Sequence, residues 1–187
     1  FTAQVARRLR PLGYDWLAME TLANSWASTP KEYLPTFIKQ PDLPYLTDND
    51  GFYLSESAFG RLGRSAKALG FRLIPYEINA ETGLPPDAPV DQQIAVREEA
   101  QARNLSSFLK EHPGAKILIH VGYRHAGEEP QRTGARWMAL RLKEKTGIDP
   151  LTISQTSCRG GGRTDRFSAL PADLAAGTFD LVIDHPD

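Results

Sequence analysis

The chain has 187 residues, 41% hydrophobic and 24% charged, with a net charge of −1. That length suits one soluble α/β domain with its own core, without disulfides or structural metal, and the near-neutral balance argues against nucleic acid or an anionic membrane as partner. The single cysteine, Cys158, excludes an internal disulfide, and no apolar run reaches the ~20 residues that span a bilayer.

The chain opens on Phe1 rather than Met, and Asp184 to Asp187 reads as an interrupted loop. The expectation is a gene product that extends upstream, an N-terminal strand being missing. A bacterial periplasmic or exported protein and a cytoplasmic one both stay open, as does the oligomeric state.

In chain order, residues 3–12 read as the tail of a helix, with Val5, Leu9 and Leu12 on one face and Gly13 as its stop. Residues 14–19 form a short buried strand closed by Glu20. Residues 24–53 show little periodicity. There Trp26, Tyr33, Phe37, Tyr45 and Phe52 alternate with Pro30, Pro35, Pro41 and Pro44. A stretch of this length is either a lid or binding loop, or a solvated insertion with a short helix over residues 31–38. Residues 55–69 are helical, with Phe59, Leu62, Ala66 and Leu69 as the apolar stripe and Gly70 as the stop. Residues 71–76 form a strand ending in Glu77, and a Gly/Pro-rich loop follows over 79–89.

Asp91 is expected to cap a helix to residue 111. Residues 115–121 are the clearest buried strand and open into Gly122-Tyr123-Arg124-His125. A helix over 131–146, a strand over 151–155, a Gly-rich loop over 157–164 and a last strand over 179–183 complete the chain. Alternating strands and helices predict a mainly parallel sheet flanked by helices on both faces, in a single domain.

In such sheets ligands bind beyond the carboxyl ends of the strands. Glu20 follows the first strand, Glu77 the second, and Gly122 and His125 the third; Gln155 ends the fourth, and Asp184 and His185 the fifth. Ionisable groups from several strands on one edge imply a polar pocket. On the helix from residue 91, Ile94, Leu105, Phe108 and Leu109 form a stripe; Glu98 and Gln101 fall inside it and Arg97 at its border. Charge on an inward stripe is costly unless partnered, so Arg97 and Glu98 are read either as pocket residues, with Arg97 ready for an anion, or as a surface pair. Glu77, Gln101, Tyr123 and Arg124 are the expected substrate-binding residues. Gly122 is expected to allow a sharp turn, and His120 to be a bonded core histidine. Gly160 to Gly162 lack the Gly-Lys-Ser/Thr of a phosphate loop. No paired-Cys or His-Glu-x-x-His zinc motif and no Gly-x-Ser-x-Gly elbow occurs, and Cys158 has no diagnostic neighbours.

Three segments carry a resemblance. Gly13-Tyr14 with Leu17-Ala18-Met19-Glu20, then Arg97-Glu98-Glu99-Ala100-Gln101-Ala102-Arg103-Asn104, then Lys116 to Val121 with Gly122-Tyr123-Arg124-His125, resemble in order and spacing the erythromycin-esterase-like and ChaN-like superfamily, which also holds the Tiki/TraB-type metalloproteases. Gln101 stands where the family's helix motif has Met. The resemblance implies Glu20 and His125 as the functional positions, with Arg97 and Glu98 in support, and an earlier Gly- or Glu-x-x-His motif that would precede Phe1. It implies a hydrolase of esters or amides acting on a small-molecule or peptide substrate. Water would be activated directly, or by a divalent metal held by His125 and Glu20. The ChaN-like alternative is a binder of haem, iron or another small ligand, with Tyr123 or His125 as axial ligand. A degenerate, non-catalytic member using residues 24–53 as an interface is the third reading.

Overall fold

The protein's structure, a computed structural model, describes residues 1–25, 31–79, 87–158 and 163–186. The class is α/β as expected: small, mostly parallel sheets flanked by helices, with helix outweighing strand. The strands form two three-stranded sheets. The chain divides into two compact units, Phe1–Gly83 with Ser107–His120, and Leu84–Ser106 with Val121–Asp187.

The first unit contains α1 (Thr2–Leu9), β1 (Tyr14–Met19), α2 (Thr36–Lys39), α3 (Ser57–Ala68), β2 (Arg72–Ile74) and β3 (Lys116–His120). Its sheet has the order β2-β1-β3, all parallel, with Leu17 opposite both Leu73 and Leu118. A central parallel strand is covered on both faces, and Leu17, Ala18 and Met19 are accordingly buried in succession. Gly13 (φ 84°) turns the chain from α1 into β1, as its position suggested. Residues 24–53 are more ordered than their weak periodicity implies. Phe37 and Leu46 join Leu17, Met19, Leu22, Leu54, Leu62 and Phe71 in one core. The short helix foreseen around residues 31–38 takes the form of a 3-10 turn at Lys31–Tyr33 and α2. Fully buried Asp50 accepts hydrogen bonds from the Thr47 N–H (2.7 Å) and hydroxyl (2.9 Å), and from the Thr36 N–H. One carboxylate thus fixes two turns that carry no apolar pattern. Trp26 and Pro30 lie outside the described residues.

The second unit contains α4 (Val90–Glu111) as far as Ser106, α5 (Met138–Thr146), β4 (Ile153–Cys158), β5 (Arg166–Ser168) and β6 (Leu181–His185). Its sheet has the order β4-β6-β5; β4 runs parallel and β5 antiparallel to β6. β5 is too short and polar to have shown a strand pattern. β4 runs three residues and β6 two past their expected ends, so Gln155 lies inside β4 rather than at its end, and Asp184 and His185 lie within β6 rather than beyond it. α5 starts at Met138, not residue 131, because Gly134 (φ 81°) closes a turn onto Gln131 (2.7 Å) that a helix could not contain. α4 begins at Val90, which puts Asp91 in its first turn, where its charge favours the helix, rather than at the cap. The Gly160–Gly162 run lies outside the described residues. Among the described residues no helix is long and apolar enough to cross a membrane.

Candidate functional site

α4 turns three polar side chains, Glu98, Gln101 and Ser106, inward. Glu98 and Gln101 are fully buried, and Ala102, Leu105 and Ser106 continue the same face at three- and four-residue steps. The expected stripe was right about Glu98 and Gln101 and wrong about Ile94, which is exposed at the outer end of the helix.

Glu98 is held from two sides. Its Oε2 accepts the backbone N–H of Met138 at 2.7 Å, and Met138 is the first residue of α5. Its Oε1 lies 2.5 Å from Nδ1 of His125. A helix N-terminus carries partial positive charge and free N–H groups, so α5 offers the buried carboxylate a donor. The contact with Nδ1 is short but off the line a hydrogen bond prefers, an arrangement that catalytic pairs often tighten when substrate arrives.

His125 sits in the 3-10 turn Tyr123–Ala126, closed by its own N–H to the carbonyl of Gly122 at 3.0 Å. Gly122 has φ −61° and ψ 144°, so the turn needs no glycine, and the reading of Gly122 as a sharp-turn residue is corrected. With a carboxylate beside Nδ1, the ring's proton belongs on Nδ1 and Nε2 keeps its lone pair. A guanidinium N–H of Arg97, the residue before Glu98 on α4, stands 3.4 Å from Nε2. The Trp137 ring meets His125 edge to face at 5.6 Å, and its buried indole N–H has no hydrogen-bond partner among the described residues. Arg97, Glu98 and His125, three of the four expected catalytic residues, thus meet in the second unit. Tyr123 is 37% exposed and tilts against Phe179 at 5.4 Å; Arg124 is exposed.

Glu20 and Glu77 belong to the first unit and lie past the carboxyl ends of its strands, as read. The Glu20 N–H donates to the carbonyl of His120 at 3.1 Å. His120 lies at this edge, partly buried and edge-on to Phe59 at 5.8 Å, rather than in the core as expected. Burial pushes its imidazole below the ordinary range, and the charge of Glu20 opposes that shift. Glu77 folds back: its carboxylate accepts the Ile78 N–H (2.7 Å) and its carbonyl accepts the side-chain amide of Asn24 (2.7 Å). That is the behaviour of a residue ordering its own loop.

Among the described residues no group of three or more His, Cys, Asp or Glu is placed to hold a metal ion. A second buried carboxylate in this unit, Glu128, is shared by the Thr152 hydroxyl (2.6 Å) and the Lys143 ammonium (3.1 Å), and burial raises its carboxyl above the usual range. It ties the loop after the 3-10 turn to α5 and to Thr152 beside β4.

The class defined by these features is an α/β protein with a carboxylate-oriented histidine beside an arginine. No protein-family model, curated protein or solved structure matches the chain.

Proposed function

We propose that the second unit is a hydrolytic site for esters or amides, with His125 as general base, Glu98 as its orienting carboxylate and Arg97 as the cation that meets developing negative charge. One observation carries the reading: a histidine whose Nδ1 faces a fully buried carboxylate at 2.5 Å, so that Nε2 is the basic atom. Nε2 takes a proton from water as the water oxygen attacks the carbonyl carbon. The imidazolium then gains from Glu98 what a solvated ring would lack, as in other carboxylate–histidine pairs. The resulting oxyanion is met by Arg97, a preorganised charge of the kind that lowers such barriers most. The proton passes to the departing alkoxide or amine as the bond to carbon breaks.

Direct activation of water is favoured over a metal or haem iron on His125 by Arg97 itself. A cation bound at Nε2 would sit against a guanidinium 3.4 Å from that atom, and like charges that close repel strongly in a partly buried site. The resemblance to erythromycin-esterase-like proteins supports the same class of substrate, esters or amides, and is compatible with both direct and metal-assisted activation of water.

The test is turnover of a panel of nitrophenyl esters and small peptide amides by the purified chain. His125→Ala is expected to lower kcat/KM by about 10²–10⁴-fold, and Glu98→Gln by about tenfold or more while circular dichroism stays unchanged. Turnover indifferent to His125→Ala, or absent across the panel, would end the reading. A Soret shift on adding haem, abolished in His125→Ala, would instead assign the site to ligand binding.

A further inference from the structure

The turn that carries His125 is clamped at both ends. At its start the Tyr123 ring leans on Phe179 at 5.4 Å. Past its end the Glu128 N–H donates to the carbonyl of Thr178, the residue before Phe179, at 3.0 Å. Between these clamps the chain runs along α5. His125 meets the ring of Trp137, which caps the start of α5. A Cβ at Gly127 would lie 3.8 Å from Cδ1 of Trp137 and 3.5 Å from Cγ2 of Thr178, so the Gly127 backbone packs against both side chains. The Glu128 carboxylate then reaches the Lys143 ammonium, further along α5 (3.1 Å), and the Thr152 hydroxyl (2.6 Å). Thr152 is itself fixed, its N–H donating to Oδ2 of Asp180 at 2.7 Å. Glu128 is 4% exposed and is bonded to α5, to the approach to β4 and to the approach to β6.

We infer that Glu128 is a positioning residue of this site: its carboxylate sets the register in which residues 125–128 lie along α5, and so holds Nδ1 of His125 against Glu98. The inference rests on the hydrolytic reading above, in which that orientation makes Nε2 the base. Glu128 touches no reacting atom there and acts through His125. Only Ala126 and Gly127 separate the two residues, and so short a link passes a shift at one end to the other. An apolar side chain at position 128 could fill the space, but burial of apolar surface is non-directional and would let the segment slide or rotate. A carboxylate bonded through both oxygens is directional: Thr152 holds Oε1 and Lys143 holds Oε2. Burying a carboxylate is costly unless it is bonded in this way. Against an apolar replacement such a group often adds little stability, and fixing register is its best-attested use. Glu98 does not fix the ring by itself, because its contact with Nδ1 lies off the line of a hydrogen bond.

Long-range proton–nitrogen NMR of the His125 ring, recorded on the full chain where the ring is neutral, reads this without turnover. The wild-type chain is expected to show a single tautomer, protonated at Nδ1. Glu128→Leu should show both tautomers, while circular dichroism and the urea midpoint stay near wild type. Its kcat on the esters or amides that the wild-type chain cleaves should fall about 10–100-fold with KM little changed. Glu128→Gln keeps an acceptor for Thr152 and should recover most of both signals. Thr152→Val and Lys143→Met each remove one donor and should give a smaller share of the second tautomer; they decide the matter where Glu128→Leu does not fold. A single Nδ1-protonated tautomer in every folded variant, or an undiminished kcat in Glu128→Leu, overturns the role of Glu128 and leaves the hydrolytic reading standing. A wild-type ring already divided between tautomers overturns both. A tautomer fixed in wild type and lost in Glu128→Leu, on a chain without turnover, upholds the positioning and overturns the hydrolytic reading alone.

Discussion

Glu98 shows how much one side chain position can reveal. A glutamate on the inward stripe of a helix announces a partner, since a buried charge without one would cost several kcal/mol. Its partners, the Met138 N–H and His125, lie 40 and 27 positions further on and left no local mark. The same holds for Trp137, an unremarkable residue in the sequence that packs edge-on to His125. Gly51 is the opposite case, a glycine required by space. Its φ of 175° suits any residue, but a Cβ there would lie 2.1 Å from the carbonyl oxygen of Thr21 and 2.9 Å from Cα of Leu22. Both are backbone atoms and cannot swing aside. Gly51→Ala should therefore destabilise the first unit by about 1–3 kcal/mol, the usual range for overpacking, seen as a lower urea midpoint with an unchanged slope.

At the level of elements, α1, α3 and the five expected strands were legible, because each carries either a 3.6-residue apolar stripe or a run of apolar residues between stops. Where the reading failed, a local backbone preference or a distant polar contact had overridden pattern. Gly134 delayed α5, and strand pairing carried β4 and β6 beyond their apolar runs. Between residues 34 and 51 the organising force is Asp50, which a hydropathy pattern does not register. Asp50→Ala would leave the N–H groups of Thr36 and Thr47 and the Thr47 hydroxyl without their acceptor. A loss of about 2 kcal/mol or more is expected from buried donors left unpaired. Limited proteolysis should cut near residues 36–50 well before the rest of the first unit.

Across the complete chain, charge sets the response to acid. Burial holds the His120 imidazole below its ordinary range, so the unfolded chain takes up its proton first. Stability should fall as pH drops through the usual histidine range, near 6.5, toward the folded value. His120→Asn should flatten that part of a denaturation–pH curve. At Glu99 burial raises the carboxyl, but hydrogen bonds and charge from Lys145 and Arg141 outweigh it and hold it below the usual carboxylate range. Its contribution is present above the ordinary glutamate value and is lost as pH falls through the folded one. Glu99→Gln should remove a small acid-side slope and do little at pH 7, because the group is partly exposed and such pairs are weak.

The amino-acid order was enough to specify the class of fold and the rough location of most of its helices and parallel strands, and to put Glu98 on the apolar stripe of its helix while leaving a surface pair open. These follow from periodicities of two and 3.6 residues, which are properties of neighbours along the chain. Which strands share a sheet, and that Glu98 meets His125 at the start of α5, were settled by folding. Contacts between remote residues depend on register and on the N–H groups freed at a helix start, and neither is written in local pattern.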